Sequence, residues 1–269
     1  MRKIRMVAID LDDTLLHDDI SLSTRNVQAI QNAQQQGVQV VVATGRMFSA
    51  AQRYGQLLGL GDLPMILYSG ALIQTVTSKT ILYHCPVDVE MAKVIMELAK
   101  EQGRFVQAYI DDVLCVIERN HWVDCYESIA GVTATVVGQA LYHIDKAPTK
   151  LLAYGTRAEL DEFIAAGEKK CGSRMTFMRS KENFLEILHS GVDKSMALQQ
   201  LCKHYDISMD ETMAIGNSMN DLGMIKAAGI GVAVGNAEPV IKQAATVITA
   251  TNNDDGVAQV IEKYILNQA

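Results

Sequence analysis

The stretch Met6-Val-Ala-Ile-Asp-Leu-Asp-Asp-Thr-Leu15 decides the fold, because an apolar run leads directly into two closely spaced carboxylates. Such a short apolar run is typical of a buried strand in a parallel sheet. A carboxylate at its end is costly to bury unless a cation, a partner or a hydrogen-bond network meets it. Asp10 and Asp12, with the hydroxyl of Thr14, therefore indicate a cation and chemistry. The alternative interpretation is a strand that runs into an acidic, solvated turn.

Composition limits the class of protein. A chain of 269 residues, 49% hydrophobic and 20% charged, is typical of a compact globular protein with one large domain or two ordinary ones. The formal net charge of -7 argues against a nucleic-acid partner, since binding many phosphates needs an excess of basic residues. An acidic chain that binds an anionic substrate must concentrate its positive charge locally.

Cysteine usage and hydropathy indicate the compartment. The five cysteines are odd in number and lack paired spacing, which favours reduced thiols over a disulfide framework or a zinc site. The start of the chain has no apolar run of signal length, and nothing approaches 18 consecutive apolar residues. We therefore expect a cytoplasmic protein without a membrane partner.

Strand and helix patterns alternate in the first and last thirds of the chain, which predicts a Rossmann-like α/β core: a parallel sheet with helices on both faces. In such sheets, ligands bind beyond the carboxyl ends of the strands. The predicted strands are Ile4–Ile9, Val38–Ala43, Met65–Tyr68, Thr212–Ile215, Ile230–Val234 and Thr246–Thr249. The predicted helices include Ser21–Gln36, Phe48–Leu58 and Asp221–Ala228.

The middle of the chain has a different pattern. Arg104–Ile110 and Val113–Glu118 flank an Asp-Asp pair and predict a hairpin, while Leu151–Tyr154 and Phe184–Leu188 predict further strands. Hairpins mixed with helices indicate an α+β module inserted into the parallel core. We therefore predict a core domain of residues 1–82 and 190–269, and an inserted domain of residues 83–189.

Four polar clusters stand at ends of predicted strands. They are Asp10-x-Asp12-x-Thr14, Thr44-Gly45-Arg46, Lys194 in Val-Asp-Lys-Ser, and Gly216-Asn-Ser-Met-Asn-Asp221. With these motifs in this order, the chain resembles the haloacid-dehalogenase-like (HAD-like) phosphohydrolases, most of all the Cof-type subfamily IIB. That subfamily carries a C2-type cap domain inserted between the second and third motifs. The closing runs 231–237 and 255–258 belong to the same resemblance.

The resemblance implies a role for each motif residue. Asp10 would be the nucleophile and a metal ligand, and Asp12 the general acid/base whose backbone carbonyl also binds the metal. The implied phosphate- or substrate-binding residues are Thr44, Gly45, Arg46, Lys194 and Asn220. Asn217 and Asp221 would complete a Mg²⁺ site. For Arg46, pairing with an acid of the first loop is an equal alternative.

The implied activity is that of a Mg²⁺-dependent phosphatase, acting on small phosphorylated metabolites through an aspartyl phosphate. Sugar phosphates are the expected substrates, and the cap would act as a lid that selects the leaving group. Hydrolysis of phosphate monoesters needs accelerations that approach ~10²¹-fold, so a metal and an ammonium must stabilise the transferred group. Two alternatives remain: a phosphomutase with the same intermediate, and a non-catalytic sensor of phosphorylated ligands.

Two positions depart from the family pattern. Asn217 stands where the family commonly has an acid, so it contributes no charge to the metal site. Ser69 stands where many relatives have asparagine, which leaves the polar contact at that strand end open. We expect a monomer or a homodimer whose partner is a small-molecule phosphate ester.

Overall fold

The structure, a computed structural model, describes residues 3–267. Residues 1–2 and 268–269 of the predicted core domain lie outside the described residues. The chain splits into two compact units. Unit 1 comprises Met1–Gly45, Ala51–Leu82 and Asp193–Ala269, and unit 2 comprises Arg46–Ala50 and Tyr83–Val192.

The strands, in chain order, are β1 (Met6–Asp10), β2 (Gln39–Ala43), β3 (Pro64–Leu67), β4 (Leu72–Thr75), β5 (Ile81–His84), β6 (Phe105–Ile110), β7 (Val113–Val116), β8 (Thr135–Val136), β9 (Lys150–Tyr154), β10 (Met175–Lys181), β11 (Phe184–His189), β12 (Thr212–Gly216), β13 (Ile230–Ala233) and β14 (Val247–Ile248). The helices are α1 (Thr24–Gln35), α2 (Phe48–Leu57), α3 (Val89–Glu101), α4 (His121–Ala130), α5 (Arg157–Cys171), α6 (Lys194–His204), α7 (Leu222–Ala227), α8 (Pro239–Ala244) and α9 (Gly256–Tyr264). Among the described residues, none of the helices has the length and apolarity that crossing a membrane requires.

The sheet of unit 1 has the strand order β14-β13-β12-β1-β2-β3-β4-β5. The pairs from β14 to β3 are parallel, and β4 runs antiparallel to β3. Every residue of β1 and of β12 is buried, so the centre of the sheet is covered on both faces. The predicted parallel α/β core is therefore confirmed.

The register of this sheet aligns the strand ends that carry the polar motifs. Asp10 of β1 lies opposite Ala43 of β2, and Ile9 lies opposite Ile215 of β12. Because neighbouring parallel strands end at the same edge, the residues that follow β1, β2 and β12 emerge together. This edge is where the sequence analysis placed three of its motifs.

The sheet of unit 2 has the order β10-β11-β9-β6-β7-β8 and is antiparallel except for the β7–β8 pair. The predicted hairpin is present as β6 and β7, and its turn residues Asp111 and Asp112 have φ of 51° and 59°. Alternate residues of β6, β9 and β11 form an apolar core with residues of α3 and α5. Its members from the strands are Val106, Ala108, Leu151, Ala153, Leu185 and Ile187.

The short segment Arg46–Ala50, which contains the first turn of α2, groups with unit 2, and the domain boundaries stay a prediction. A distant turn caps this first turn of the helix. The backbone amides of Phe48 and Ser49 each donate to the carboxylate of Asp112, at 2.9 Å. A carboxylate at the first turn of a helix satisfies amides that have no partner within the helix. This contact was not visible in the sequence.

Candidate active site

Three charged side chains from separate elements of unit 1 meet at the carboxyl edge of its sheet. The ammonium of Lys194 donates to Oδ1 of Asp10 at 2.6 Å and to Oδ1 of Asp221 at 2.7 Å. Lys194 and Asp221 are fully buried, and Asp10 is 4% exposed. Lys194 is 184 positions from Asp10 and 27 positions from Asp221 in the chain, and the three residues form one buried ion cluster.

The electrostatics of this cluster favour a further positive charge. Burial raises the pKa of Asp10 to about 7; the nearby charge of Asp221 also raises it, and Lys194 opposes both effects. Burial lowers the pKa of Lys194, but the two carboxylates outweigh burial and hold that pKa above its ordinary value. The ammonium therefore stays charged, and it cannot by itself balance the two carboxylates that it contacts.

The start of α6 fixes the position of Lys194. Asp193 caps this helix, and its side chain accepts a hydrogen bond from the amide of Met196 at 2.6 Å. Gly70 has a φ of 110°, and a Cβ at this position would collide with the backbone carbonyl of Asp193. Only glycine therefore allows the turn after β3 to pack against the residue that precedes Lys194.

Thr44 lies directly after β2, next to the strand that carries Asp10, and is fully buried. Its amide donates to the carbonyl of Ile66 at 2.8 Å, and its carbonyl accepts from the amide of Ser69 at 3.0 Å. The Ser69 contact uses the backbone, so it does not depend on the side chain at this position.

Gly45 follows Thr44 and is the last residue of the first segment of unit 1. Arg46 belongs to unit 2 and is buried. Burial raises the pKa of the Tyr126 hydroxyl in the same unit, and the charges of Lys150 and Arg46 oppose this effect. The substrate-binding role of Arg46, and its alternative as a partner of the first loop, both remain predictions.

The turn after β12 folds tightly around Asp221. Its second carboxylate oxygen, Oδ2, accepts hydrogen bonds from the amides of Asn217 at 3.0 Å and Ser218 at 3.1 Å. A Cβ on Gly216 would lie 2.5 Å from Cγ of Asp221, so glycine is required at the end of the strand. Asn220 is held in the same turn, where its Oδ1 accepts from the hydroxyl of Ser218 at 2.7 Å. No pattern in the sequence predicted the roles of Gly216 and Ser218.

The first loop contributes Asp12 and Thr14. Asp12 is half-buried, and its charge also raises the pKa of Asp10. The hydroxyl of Thr14 donates to Oδ1 of Asn217 at 3.2 Å, which joins the first and fourth motifs. Of the predicted site residues, the structure brings together Asp10, Lys194 and Asp221 by direct contact, and it places Asn217 one hydrogen bond from Thr14.

The donor chemistry of these residues fits Mg²⁺. Within residues 3–267, no three His, Cys, Asp or Glu side chains form a cation cluster by themselves. A metal here would need the amide oxygen of Asn217 and the backbone carbonyl of Asp12 besides the carboxylates of Asp10 and Asp221. All of these donors are hard oxygens, which Mg²⁺ prefers, and such a set leaves room for water. The excess of buried negative charge favours a cation at this point.

Comparisons with known proteins agree with this geometry. The family model described as haloacid dehalogenase-like hydrolase matches residues 7–261. The putative phosphatase YxeH of Bacillus subtilis is 32% identical, with 97% of this chain and 98% of the relative covered. The pyridoxal phosphate phosphatase YbhA of Escherichia coli is 27% identical, with 97% and 99% covered.

The fold has solved counterparts. The crystal structure of a haloacid dehalogenase-like hydrolase from Bacteroides thetaiotaomicron superposes with a TM-score of 0.91 at 29% identity, over 97% of this chain and 99% of that one. The crystal structure of TM0651 from Thermotoga maritima gives a TM-score of 0.87 at 31% identity, over 97% of both chains. The chain therefore belongs to the haloacid dehalogenase-like hydrolase family, among its phosphatases.

Proposed function

We propose that this protein is a Mg²⁺-dependent phosphatase that hydrolyses small phosphorylated metabolites through a phosphoryl group carried on Asp10. The observation that supports the proposal most strongly is the buried contact of Lys194 with Asp10 and Asp221, at 2.6 and 2.7 Å. A carboxylate nucleophile must be ionised when it attacks, and this ammonium favours the ionised form.

In the first proposed step, a carboxylate oxygen of Asp10 bonds to phosphorus, and the bond from phosphorus to the ester oxygen breaks. Asp12 donates its proton to the departing oxygen, so that the product leaves as an alcohol. In the second step, Asp12 takes a proton from water, whose oxygen bonds to phosphorus while the bond to Asp10 breaks. Inorganic phosphate is released, and both acids return to their starting states.

The other residues would hold the phosphoryl group. Thr44, Lys194 and Asn220 supply donors for its oxygens, and the amide of Gly45 adds a backbone donor. Mg²⁺, when bound by Asp10, Asp221, Asn217 and the carbonyl of Asp12, would supply positive charge that offsets the negative charge of the phosphoryl oxygens.

We propose sugar phosphates, and we propose that unit 2 is a cap that selects the leaving group. One face of its sheet carries buried polar side chains, and Nζ of Lys150 lies 3.4 Å from Oε2 of Glu186. Donors and acceptors of this kind suit hydroxyl groups. The relatives act on different molecules: one is named as a pyridoxal phosphate phosphatase and another as a 5-amino-6-(5-phospho-D-ribitylamino)uracil phosphatase.

The compartment, the partner and the oligomeric state are also proposals. We propose that it acts in the cytoplasm on a small phosphate ester, as a monomer or homodimer. The five cysteines support a reducing compartment, because all of them are free thiols.

A screen of phosphorylated metabolites for phosphate release tests the proposal, with and without Mg²⁺ and with Asp10→Asn as the control. We expect release from at least one sugar phosphate by the wild-type protein with Mg²⁺ and none by the variant. Isomerisation without release would indicate the phosphomutase instead, and binding without turnover at high Mg²⁺ would indicate the sensor. Release that persists in Asp10→Asn would overturn the proposed nucleophile.

A further inference from the structure

Three distant asparagines hold the loop that follows the nucleophile. Each donates from its side-chain amide to a different backbone carbonyl of the loop. The pairs are Asn236 with the carbonyl of Asp13 at 2.7 Å, Asn26 with that of Leu15 at 3.4 Å, and Asn252 with that of Leu16 at 3.0 Å. All of these residues lie in unit 1, so the arrangement belongs to one compact body.

The side-chain amide groups of these three asparagines form further hydrogen bonds. Oδ1 of Asn26 accepts from the backbone amide of Ala258 at 2.8 Å, and Oδ1 of Asn236 accepts from the backbone amide of Asn252 at 3.0 Å. Nδ2 of Asn252 also donates to the carboxylate of Asp18 at 2.9 Å. Because each oxygen is matched with an N–H group, the NH₂ group of Asn26 and of Asn236 must face the loop carbonyl.

These contacts involve the two closing sequence runs, residues 231–237 and 255–258, which have no role in the proposed reaction. Asn236 belongs to the first run and follows β13, and Ala258 belongs to the second run and lies in the first turn of α9. Asn252 lies between the two runs, in the turn that precedes α9. Through them, the end of the chain is connected to the loop that carries the first motif. The three hydrogen bonds span 223, 11 and 236 residues of sequence.

The loop needs such external support because its backbone is irregular. Asp12 has φ and ψ of -76° and 132° within an otherwise helical turn, and Asp13 has a φ of 55°. A left-handed residue other than glycine is strained, and it persists only where the surroundings determine the conformation. The side-chain amides of Asn236, Asn26 and Asn252 supply such support from outside the loop, at the carbonyls of residues 13, 15 and 16.

We infer that Asn236, Asn252 and Asn26 are positioning residues for the reaction: they fix the shape of the loop and thereby the place of Asp12 relative to Asp10. The catalytic consequence rests on the proposed function, whereas the structural consequence does not. A carboxyl that is displaced by about 1 Å from a productive geometry loses up to ~100-fold in rate.

Asn236 allows the test with the least damage to the fold. It is exposed, whereas Asn26 and Asn252 are 0% and 1% exposed. Asn236→Ala removes the donor, and Asn236→Asp keeps the shape of the side chain but replaces the N–H group with an oxygen. Asn253→Ala is the matched control, because Asn253 is also exposed and its side chain bonds to Asp18, outside the three supported carbonyls.

The first measurement is hydrogen exchange of the peptide that covers residues 10–16, in the metal-free protein. The amide of Leu16 donates to the carbonyl of Leu11 at 2.9 Å, so its exchange reports opening of the loop. We expect exchange to be faster in both Asn236 variants and to match the wild type in Asn253→Ala. Wild-type exchange in both Asn236 variants would overturn the inference.

The second measurement is steady-state hydrolysis of p-nitrophenyl phosphate at saturating Mg²⁺. We expect kcat to fall roughly 10- to 100-fold in both Asn236 variants, with KM within about twofold and an unchanged thermal midpoint. An equal fall in Asn253→Ala, or an unchanged kcat in both Asn236 variants, would contradict the inference. If the wild type releases no phosphate from this probe or from any metabolite of the screen, the proposed function fails, and hydrogen exchange alone decides the inference.

Discussion

A single ammonium lies between two buried carboxylates at the candidate active site, and the consequences of each substitution follow from that arrangement. Lys194 contacts Asp10 and Asp221 without access to water. The sequence predicted all three residues as site members. It could not predict that one ammonium bridges both acids, because this depends on β12 lying next to β1 in the sheet.

Lys194→Met is expected to destabilise the metal-free protein by about 3–5 kcal/mol, because the variant leaves two buried carboxylates without their counter-charge. It should also abolish phosphate release. Urea denaturation measures the stability, and Lys203→Met, an exposed position on the same helix, is the control. Equal stability of the two variants would show that the buried contact does not exist in solution.

Asn217→Asp tests the departure from the family pattern. Oδ1 of Asn217 accepts a hydrogen bond from Thr14, and a carboxylate accepts the same bond while it adds a negative charge. We expect the Mg²⁺ concentration for half-maximal activity to fall on the order of tenfold, since charge count sets the affinity of oxygen sites. Asn220→Asp places the same charge in the same turn and serves for comparison. An unchanged half-saturation in Asn217→Asp would remove this residue from the metal site.

At the scale of elements, buried parallel strands were the easiest features to predict. The apolar runs in the sequence match β1, β2 and β3 within a few residues, because strands that are covered on both faces are continuously hydrophobic. Ser23 lies inside the predicted helix range 21–36 and caps α1, and its hydroxyl accepts a hydrogen bond from the amide of Asn26 at 3.0 Å.

Elements that depend on distant contacts were missed. The sequence analysis did not predict α9, whose first residue follows Asp255 in the left-handed conformation without a side-chain cap. It also did not predict α4, although Asn120 caps this helix by accepting from the amides of Trp122 and Val123. The three asparagine contacts of the first loop were missed because they join positions that no local pattern relates.

The turn between β3 and β4 gives a prediction at this scale. Gly70→Ala should destabilise unit 1 by roughly 2–4 kcal/mol, through collision with the Asp193 carbonyl in addition to backbone strain. Gly37→Ala controls for the strain alone, because Gly37 has a φ of 83° and no atom within 4 Å of the added Cβ. If urea denaturation gives the two variants the same loss, the close approach to α6 is not a constraint.

For the whole molecule, the sequence predicted an α/β core with an inserted α+β module, and both sheets are present. The domain boundaries stay a prediction, and a carboxylate from the β6–β7 turn caps the first turn of α2. Such a contact has no signature in composition or periodicity. Under the proposed function, the negative charge of the chain is compatible with an anionic substrate because Lys194 and a bound cation together supply positive charge at the site.

Binding of Mg²⁺ should stabilise the whole folded protein. At a concentration 100-fold above Kd, a ligand that binds only the folded state adds about 2.7 kcal/mol. We expect a corresponding rise in the thermal midpoint of the wild type and a much smaller rise in Asp221→Asn, which lacks one charged donor. An equal rise in both proteins would place the metal elsewhere.

The most direct test of the account is to identify the residue that carries the phosphoryl group during turnover. The protein is quenched with acid while it hydrolyses a substrate, and the acyl phosphate is reduced with borohydride, which converts a phosphorylated aspartate to homoserine. Peptide mass spectrometry should find homoserine at position 10 in the wild type, and none in Asp10→Asn or without substrate. Active turnover without modification at Asp10, or modification at another aspartate, would contradict the account.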